Sequence, residues 1–250
     1  MKSQEKTPKQ IANLLIQSLK KLADPVRAEG AQRYFKEAFQ CYGLTSAQVR
    51  DLAKEMYQIV KGVWSVEDAI ELCDILLPNP YHEAKALAIL LLEKYKNDFP
   101  KSLFPKIKGW LEANNLNNWA AVDVLCPDSM GSLLRKYPGL MEEIKAWAKC
   151  PNRWVRRASL VSFIKFARKG EFLDPIYGIS ASHFGDIDDL IQKANGWLLR
   201  EAGKADLERL EKFLLKHGPA IPRTTLRYAI ERFDEKKRKA ILLATKKNSP

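Results

Sequence analysis

Two stretches in the first half of the chain decide the fold class: SVEDAIELCDILLP at Ser65–Pro78 and YHEAKALAILLLEKY at Tyr81–Tyr95. Their apolar residues recur at helical spacing, and proline separates them. The same pattern continues on both sides. KQIANLLIQSLKKLAD carries its apolar residues on one face, and Thr45 is placed to cap a helix over SAQVRDLAKEMYQIV. The sequence therefore predicts an all-α protein.

Further helices are expected along the rest of the chain, with Pro and Gly between them. PVRAEGAQRYFKEAFQCYG opens with Pro25 and closes with Gly43, and FPKSLFPKIKGWLEANN and GLMEEIKAWAKC follow later. Many helices joined by short turns are typical of helix pairs stacked as a solenoid. We therefore predict a single helical-repeat domain over residues 1–250.

A weak internal repeat supports the solenoid. Arg157 lies 34 residues after Asp123, and Trp197 lies 40 residues after Arg157. Each of these three helices carries a Trp together with a charged residue, and a solenoid would place such helices side by side along one concave groove. Six Trp in one chain also produce such spacings by coincidence.

Composition indicates the class of partner. The chain of 250 residues has 42 Lys and Arg against 30 Asp and Glu, a net charge of +12, and this surplus favours nucleic acid. No apolar run reaches the roughly 18 residues of a membrane span, and MKSQEKTPKQ lacks the apolar core of a signal peptide. We expect an intracellular, cytoplasmic monomer, associated with the nucleoid if the cell is bacterial. The scattered Cys and His predict no metal site and no disulfide framework.

The strongest electrostatic signal is a window from Lys145 to Lys169 that contains basic residues and no acid. Arg153, Arg156 and Arg157 surround the expected start of a helix, where free N–H groups already favour an anion. A phosphate group would fit there, although a solvated basic face without a ligand is an equal alternative. The eight basic residues are Lys145, Lys149, Arg153, Arg156, Arg157, Lys165, Arg168 and Lys169.

The stretch NNWAAVDVLCP, Asn117–Pro127, places Trp119 four residues before Asp123, so that both lie on one face of a helix. Taken alone, Trp119 and Trp197 would be core residues. Asp123 lies between two Val residues, where a carboxylate needs a cation or hydrogen-bond donors. That cation is either an internal Arg or part of a ligand flanked by indole rings.

Six segments together resemble the AlkD-type DNA alkylation-repair glycosylases, an all-helical family built of HEAT-like repeats. They are YFKEAFQCYGLTSAQVRDLAKE, YHEAKALAILLLEKY, NNWAAVDVLC, NRWVRRASLV, IQKANGWLLREAGK and PRTTLRYAIERF, in the family's order over nearly the whole chain. The resemblance implies removal of N3- and N7-alkylated purines from double-stranded DNA, without a metal or cofactor.

The resemblance also implies the site. Trp119, Asp123 and Trp197 correspond to family positions that line the DNA-facing cleft. We expect these three to be the catalytic residues, with Asp123 beside the positive charge that develops on the sugar. Arg157 corresponds to a residue lining the DNA-facing cleft. The expected DNA contacts are Arg157, Arg200, Arg153, Arg156, Lys193 and Tyr34.

Two other functions stay open: a HEAT-like protein that binds damaged or branched DNA without excising a base, and a protein-binding scaffold. The sequence offers no obvious set of polar groups to read the edge of a purine, so we expect an open cleft that recognises cationic lesions.

Overall fold

The computed structural model describes residues 6–246, and its regular structure there is helical apart from one isolated bridge between Gln40 and Tyr81. The prediction of an all-α protein is confirmed. The expectation for the amino terminus falls partly on residues 1–5, which lie outside the described range. Contacts divide the chain into two units, Met1–Leu125 and Cys126–Pro250. One repeat domain over residues 1–250, with a concave groove, stays a prediction.

The first unit is organised around its fifth helix. Its helices are α1 (Pro8–Lys21), α2 (Pro25–Ala31), α3 (Ser46–Val60), α4 (Val66–Leu76), α5 (His82–Leu92), α6 (Leu103–Glu112) and α7 (Trp119–Leu125), with 3-10 segments at Gln32–Tyr34 and Glu93–Asp98. Helix α5 is buried along most of its length and packs against α1, α3, α4 and α7. It therefore fixes the position of α7, which carries Trp119 and Asp123.

Thr45 caps α3 as predicted. Its Oγ1 accepts a hydrogen bond from the backbone N–H of Gln48 at 3.2 Å, and Gln48 Oε1 accepts one from the Thr45 N–H at 2.8 Å. This reciprocal pair satisfies N–H groups that the first turn of a helix leaves without partners.

The helix expected from Pro25 to Gly43 is shorter than predicted. Helix α2 ends at Ala31, a 3-10 turn ends at Tyr34, and the chain is not helical again before Ser46. Gln32 holds the turn that follows, because its Oε1 accepts from Phe39 N at 2.8 Å and its Nε2 donates to Glu37 O at 2.9 Å. These backbone groups are satisfied by a side chain instead of by a helix.

The end of this segment is fixed by a buried carboxylate on α5. Glu83 accepts hydrogen bonds from the backbone N–H groups of Tyr42, Gly43 and Leu44 at 2.9–3.1 Å. Gly43 has φ +85°, and a Cβ there would lie 2.2 Å from Asp24 O. A helix through residues 35–43 is excluded because its N–H groups would have to leave Glu83.

The second unit is organised around a long helix that starts at Asp189. Its helices are α8 (Gly131–Lys136), α9 (Leu140–Ala146), α10 (Arg153–Val161), α11 (Ile164–Lys169), α12 (Leu173–Ser182), α13 (Asp189–Ala205), α14 (Leu207–His217), α15 (Arg223–Ala229) and α16 (Glu235–Ala244), with a π-helical turn at Cys126–Met130 and 3-10 turns at Trp147–Lys149 and Gly218–Ala220. Helices α10, α11, α14 and α15 pack against α13.

Candidate nucleic-acid interface

Trp119 and Asp123 lie one turn apart on α7, as their spacing predicted, and both side chains are half-buried. Asn118 precedes the helix and caps it, because its Oδ1 accepts from the backbone N–H of Ala121 at 2.9 Å. Trp119 therefore lies in the first turn of α7, outside the apolar core.

Trp119 belongs to an aromatic stack that the sequence did not indicate. Its indole stacks on Phe35, with ring centroids 5.1 Å apart and an angle of 15° between the planes, and Phe35 stacks on Phe39 with centroids 3.6 Å apart. Phe35 and Phe39 lie in the non-helical segment after Tyr34. One face of the Trp119 indole is thus held by Phe35, which limits the directions in which the ring can turn.

Tyr34 is largely exposed, with 63% of its surface accessible. The guanidinium of Arg33 lies 4.9 Å from the centre of its ring, and Arg33 Nη2 donates to the Tyr34 hydroxyl at 2.9 Å. The pair presents an aromatic surface and a positive charge to solvent, both of which a nucleic acid can use.

In the second unit, the start of α10 is already capped and its arginines already have partners. Asn152 Oδ1 accepts from the N–H groups of Trp154 and Val155 at 2.8 and 3.3 Å. Arg153 pairs with Asp188 at 2.8 Å, and Arg156 pairs with Asp186 at 2.7 Å. The capped amino terminus and the neutralised arginines leave less positive charge for a phosphate than the sequence window indicated.

Arg157 is 5% exposed, and its Nη1 donates to the carbonyl oxygen of Leu190 at 2.6 Å. Leu190 lies in the first turn of α13. In this structure Arg157 is therefore held inside the unit, where it fixes the start of α13 relative to α10.

His183 lies at the start of the loop whose Asp186 and Asp188 pair with Arg156 and Arg153. Ser159 donates its hydroxyl proton to Arg156 O at 2.7 Å, so its Oγ accepts from His183 Nε2–H at 2.9 Å. Burial lowers the pKa of His183 to about 4, with Asp186 raising it and Arg156 lowering it further. The imidazole is neutral near pH 7.

Lys193, Trp197 and Arg200 follow one another along one face of α13 at helical spacing. All three are half-buried; Lys193 pairs with Asp189 at 2.8 Å and Arg200 pairs with Glu231. The hydrogen bond with Asp189 raises the pKa of Lys193. Trp197, like Trp119, lies outside the fully buried core.

Charge divides unevenly between the two units. Residues 126–250 carry 25 Lys and Arg against 15 Asp and Glu, whereas residues 1–125 carry 17 against 15. Several exposed cations of the second unit form no ion pair within residues 6–246: Lys149, Lys169, Arg227, Arg232 and Lys236. A polyanion would therefore meet most of the protein's positive charge in the second unit.

The model of one protein family matches residues 15–233, and its description is "DNA alkylation repair enzyme". The chain belongs to this DNA alkylation repair enzyme family.

A solved structure described as a predicted DNA alkylation repair enzyme from Enterococcus faecalis has the same fold, with a TM-score of 0.74 at 19% sequence identity. The match covers 85% of this chain and 97% of that one. No protein in a search of curated sequences matches. Within residues 6–246 of this family member, no helix is long and apolar enough to cross a membrane, and no three metal-ligating side chains come together. Membership of the family implies DNA as the substrate.

Sequence reasoning missed Phe35 and Phe39, which stack with Trp119 in the first unit of this family member, and Tyr228, which lies near Lys193 in the second unit. Tyr228 lies on α15, is 37% exposed, and interacts electrostatically with Lys193. Phe35 and Phe39 were assigned to a helix, where they would have been ordinary core residues. All three carried the same weak signal, since Phe35 and Phe39 lie in YFKEAFQCYGLTSAQVRDLAKE and Tyr228 lies in PRTTLRYAIERF, two of the six segments that resemble the family.

Proposed function

We propose that the protein is an AlkD-type DNA glycosylase that removes cationic N3- and N7-alkylated purines from duplex DNA as a HEAT-repeat monomer, in the first step of base excision repair. The observation that carries the proposal is the half-exposed pair of Trp119 and Asp123 on α7, in a chain that belongs to the DNA alkylation repair family. An aromatic face and a carboxylate one turn apart suit a positively charged organic group.

Asp123 is the proposed electrostatic catalyst. When the bond between C1′ and the purine nitrogen breaks, its electron pair neutralises the cationic base, and positive charge develops on the sugar. A carboxylate fixed on α7 stabilises that charge. Water then adds to C1′ and loses a proton, which completes the hydrolysis. Because the alkylated base is already cationic, it leaves without protonation by a general acid.

Trp119 and Trp197 are the proposed contacts to the lesion and its sugar. The stack on Phe35 holds the Trp119 indole in one orientation. Trp197 lies on α13 between Lys193 and Arg200, so a sugar in contact with its ring would have a cation on each side. On this proposal the adjoining phosphates replace Asp189 and Glu231 as the partners of these two cations. Tyr34 is proposed to contact the DNA backbone.

The arginines of α10 divide into two groups by exposure. Arg153 also has a partner, Asp188, but 40% of its side chain is exposed, so it is the proposed phosphate contact. Arg156 and Arg157 are less exposed and are held by Asp186 and by Leu190 O. For Arg157, predicted as a phosphate contact, we propose a positioning role for the start of α13. On this proposal Arg153→Ala lowers the salt dependence of DNA binding by about one phosphate contact, and Arg157→Ala leaves it unchanged.

The test is incubation of the protein with methylated duplex DNA, followed by chromatographic measurement of free 7-methylguanine. We expect release by the wild type and a loss of about 10- to 1000-fold in Asp123→Asn, the range seen when one electrostatic stabiliser is removed. Asp128→Asn is the matched control, since it removes another half-buried carboxylate, five residues further along the chain, that pairs with Lys165. Steep salt-dependent binding with no released base would support the non-excising alternative instead.

A further inference from the structure

A cavity of about 100 Å³ opens beside the aromatic stack in the first unit. Its apolar lining residues include Phe35, Phe39 and Pro80, and its polar lining residues include Gln40, Asn117 and Asn118. The sequence had given no obvious set of polar groups for reading a base. The fold assembles one, because the non-helical segment after Tyr34 returns alongside the residues that precede α7.

The amide groups in this lining are able to bind a ligand. The side chains of Gln40 and Asn117 form no hydrogen bond within the described residues, and Asn118 uses its Oδ1 for Ala121 N and retains its amino group. Primary amides both donate and accept, which is the property that lets Asn and Gln pair with the edge of a nucleobase. The lining also includes Glu37, whose carboxylate disfavours a phosphate in the cavity.

The size of the cavity limits how much of a base it can hold. A closed cavity of about 150 Å³ holds a benzene ring, so about 100 Å³ accepts the edge of one six-membered ring and leaves the rest of the ring outside. The second ring of a purine would gain no contact there, so the position of the base in the duplex decides which class is bound. In duplex DNA, the base opposite an alkylated purine is a pyrimidine.

We propose that this cavity is a subsite for the neutral pyrimidine opposite the lesion, bound by its edge through Gln40, Asn117 and Asn118 against Phe39 and Pro80. The inference rests on the proposal that alkylated duplex DNA is the substrate. Asn118 immediately precedes Trp119, and Phe35 contributes both to the cavity and to the stack on Trp119. A base in the cavity and a sugar against Trp119 would therefore contact adjoining parts of one surface.

The test measures binding by fluorescence anisotropy to a duplex that carries N7-methylguanine on a 2′-fluorinated sugar. Fluorine disfavours positive charge on the sugar, so the base stays attached during the measurement. Cytosine, adenine or an abasic sugar is placed opposite the lesion. We expect the wild type to prefer cytosine over the other two by about tenfold, a change of the size that one or two hydrogen bonds produce.

The double variant Gln40→Ala with Asn117→Ala should lose this preference while binding the duplex with the abasic sugar as the wild type does. Gln58→Ala, an exposed amide on α3 outside the cavity, is the matched control and should keep the preference. A fluorescent cytosine analogue opposite the lesion should brighten on binding to the wild type, as it leaves the base stack, and should stay dim with the double variant.

Equal binding of all three duplexes by the wild type, or an unchanged preference in the double variant, would overturn the subsite. Release of 7-methylguanine from an unfluorinated duplex, measured in parallel, reports separately on the glycosylase proposal. A preference for cytosine without release would retain the subsite and reject the glycosylase, and release without a preference would do the reverse. Absence of binding to all three duplexes would reject both.

Discussion

Gly196 on α13 is the point where α15 comes closest, and replacing it with Ala should destabilise the second unit. A Cβ at this position would lie 2.4 Å from Tyr228 Cβ and 2.6 Å from the carbonyl oxygen of Thr225. Carbon atoms pack at about 3.5–4.0 Å, so α15 would have to move away by about 1 Å. Neither obstacle is the end of a flexible side chain, so rotation of a side chain cannot relieve the clash.

Three contributions set the size of the effect. Forcing an extra methyl group into a packed contact costs about 1–3 kcal/mol. Movement of α15 also weakens the bond from Thr225 Oγ1 to Gln192 O, now 3.0 Å, which is worth about 1 kcal/mol. Ala stabilises a helix interior by about 1 kcal/mol relative to Gly. The expected net loss for Gly196→Ala is therefore about 1–3 kcal/mol in the free energy of unfolding.

Gly203→Ala on the same helix is the matched control. A Cβ there would meet Leu210 Cδ2 at 2.4 Å, but this atom is a terminal methyl group that can rotate away, and the next Leu210 atoms lie at 3.5 Å. Gly203→Ala should stay within about 1 kcal/mol of the wild type, because the helix gain offsets the local rearrangement. Urea unfolding followed by far-ultraviolet circular dichroism measures both. Equal stability of the two variants would refute the assignment of Gly196 to a backbone contact.

Three further predictions concern buried ionisable groups. Burial raises the pKa of Glu201, but hydrogen bonds from Lys204 and Arg168 outweigh this effect and leave the pKa lowered. Glu201→Gln should therefore lower the free energy of unfolding by about 3 kcal/mol, and by less at high salt. The exposed Glu208→Gln is the control and should not measurably change thermal unfolding. The pKa of His183 is about 4 in the folded state against an ordinary 6.5, so the stability that the neutral imidazole contributes is complete above pH 6.5 and is lost as the pH falls towards 4. Urea titrations should show that acid destabilises His183→Gln by about 3 kcal/mol less than the wild type. Equal acid sensitivity would contradict the buried neutral imidazole. Glu83→Gln should lower the free energy of unfolding by about 1–3 kcal/mol, because the amide loses at least one of the three hydrogen bonds from N–H groups. The exposed Glu71→Gln is the control. Unchanged stability in Glu83→Gln would show that the loop is held by other contacts.

The features that the sequence predicted well are local. The cap at Thr45, the start of α2 at Pro25 and the shared face of Trp119 and Asp123 each depend on residues within about one helical turn. The all-α class follows from many such signals in series. Each of them is decided by local backbone geometry and not by contacts between distant residues.

The features that the sequence did not predict depend on distant residues. Glu83 accepts hydrogen bonds from the N–H groups of Tyr42 and Gly43, which lie about forty residues before it in the sequence. The helix predicted from Pro25 therefore ends early. The stack of Phe35 on Trp119 follows from that change. Similarly, the window from Lys145 to Lys169 contains no acid, yet Arg156 and Arg153 form ion pairs with Asp186 and Asp188, which lie just before α13.

Charge and chemistry are separated along this chain, which constrains how a repair function could work. The second unit carries nearly all of the net positive charge, and the first unit carries Asp123 and the aromatic stack. On the proposed function, affinity for phosphates comes mainly from the second unit, whereas the carboxylate proposed to act on the sugar cation comes from the first.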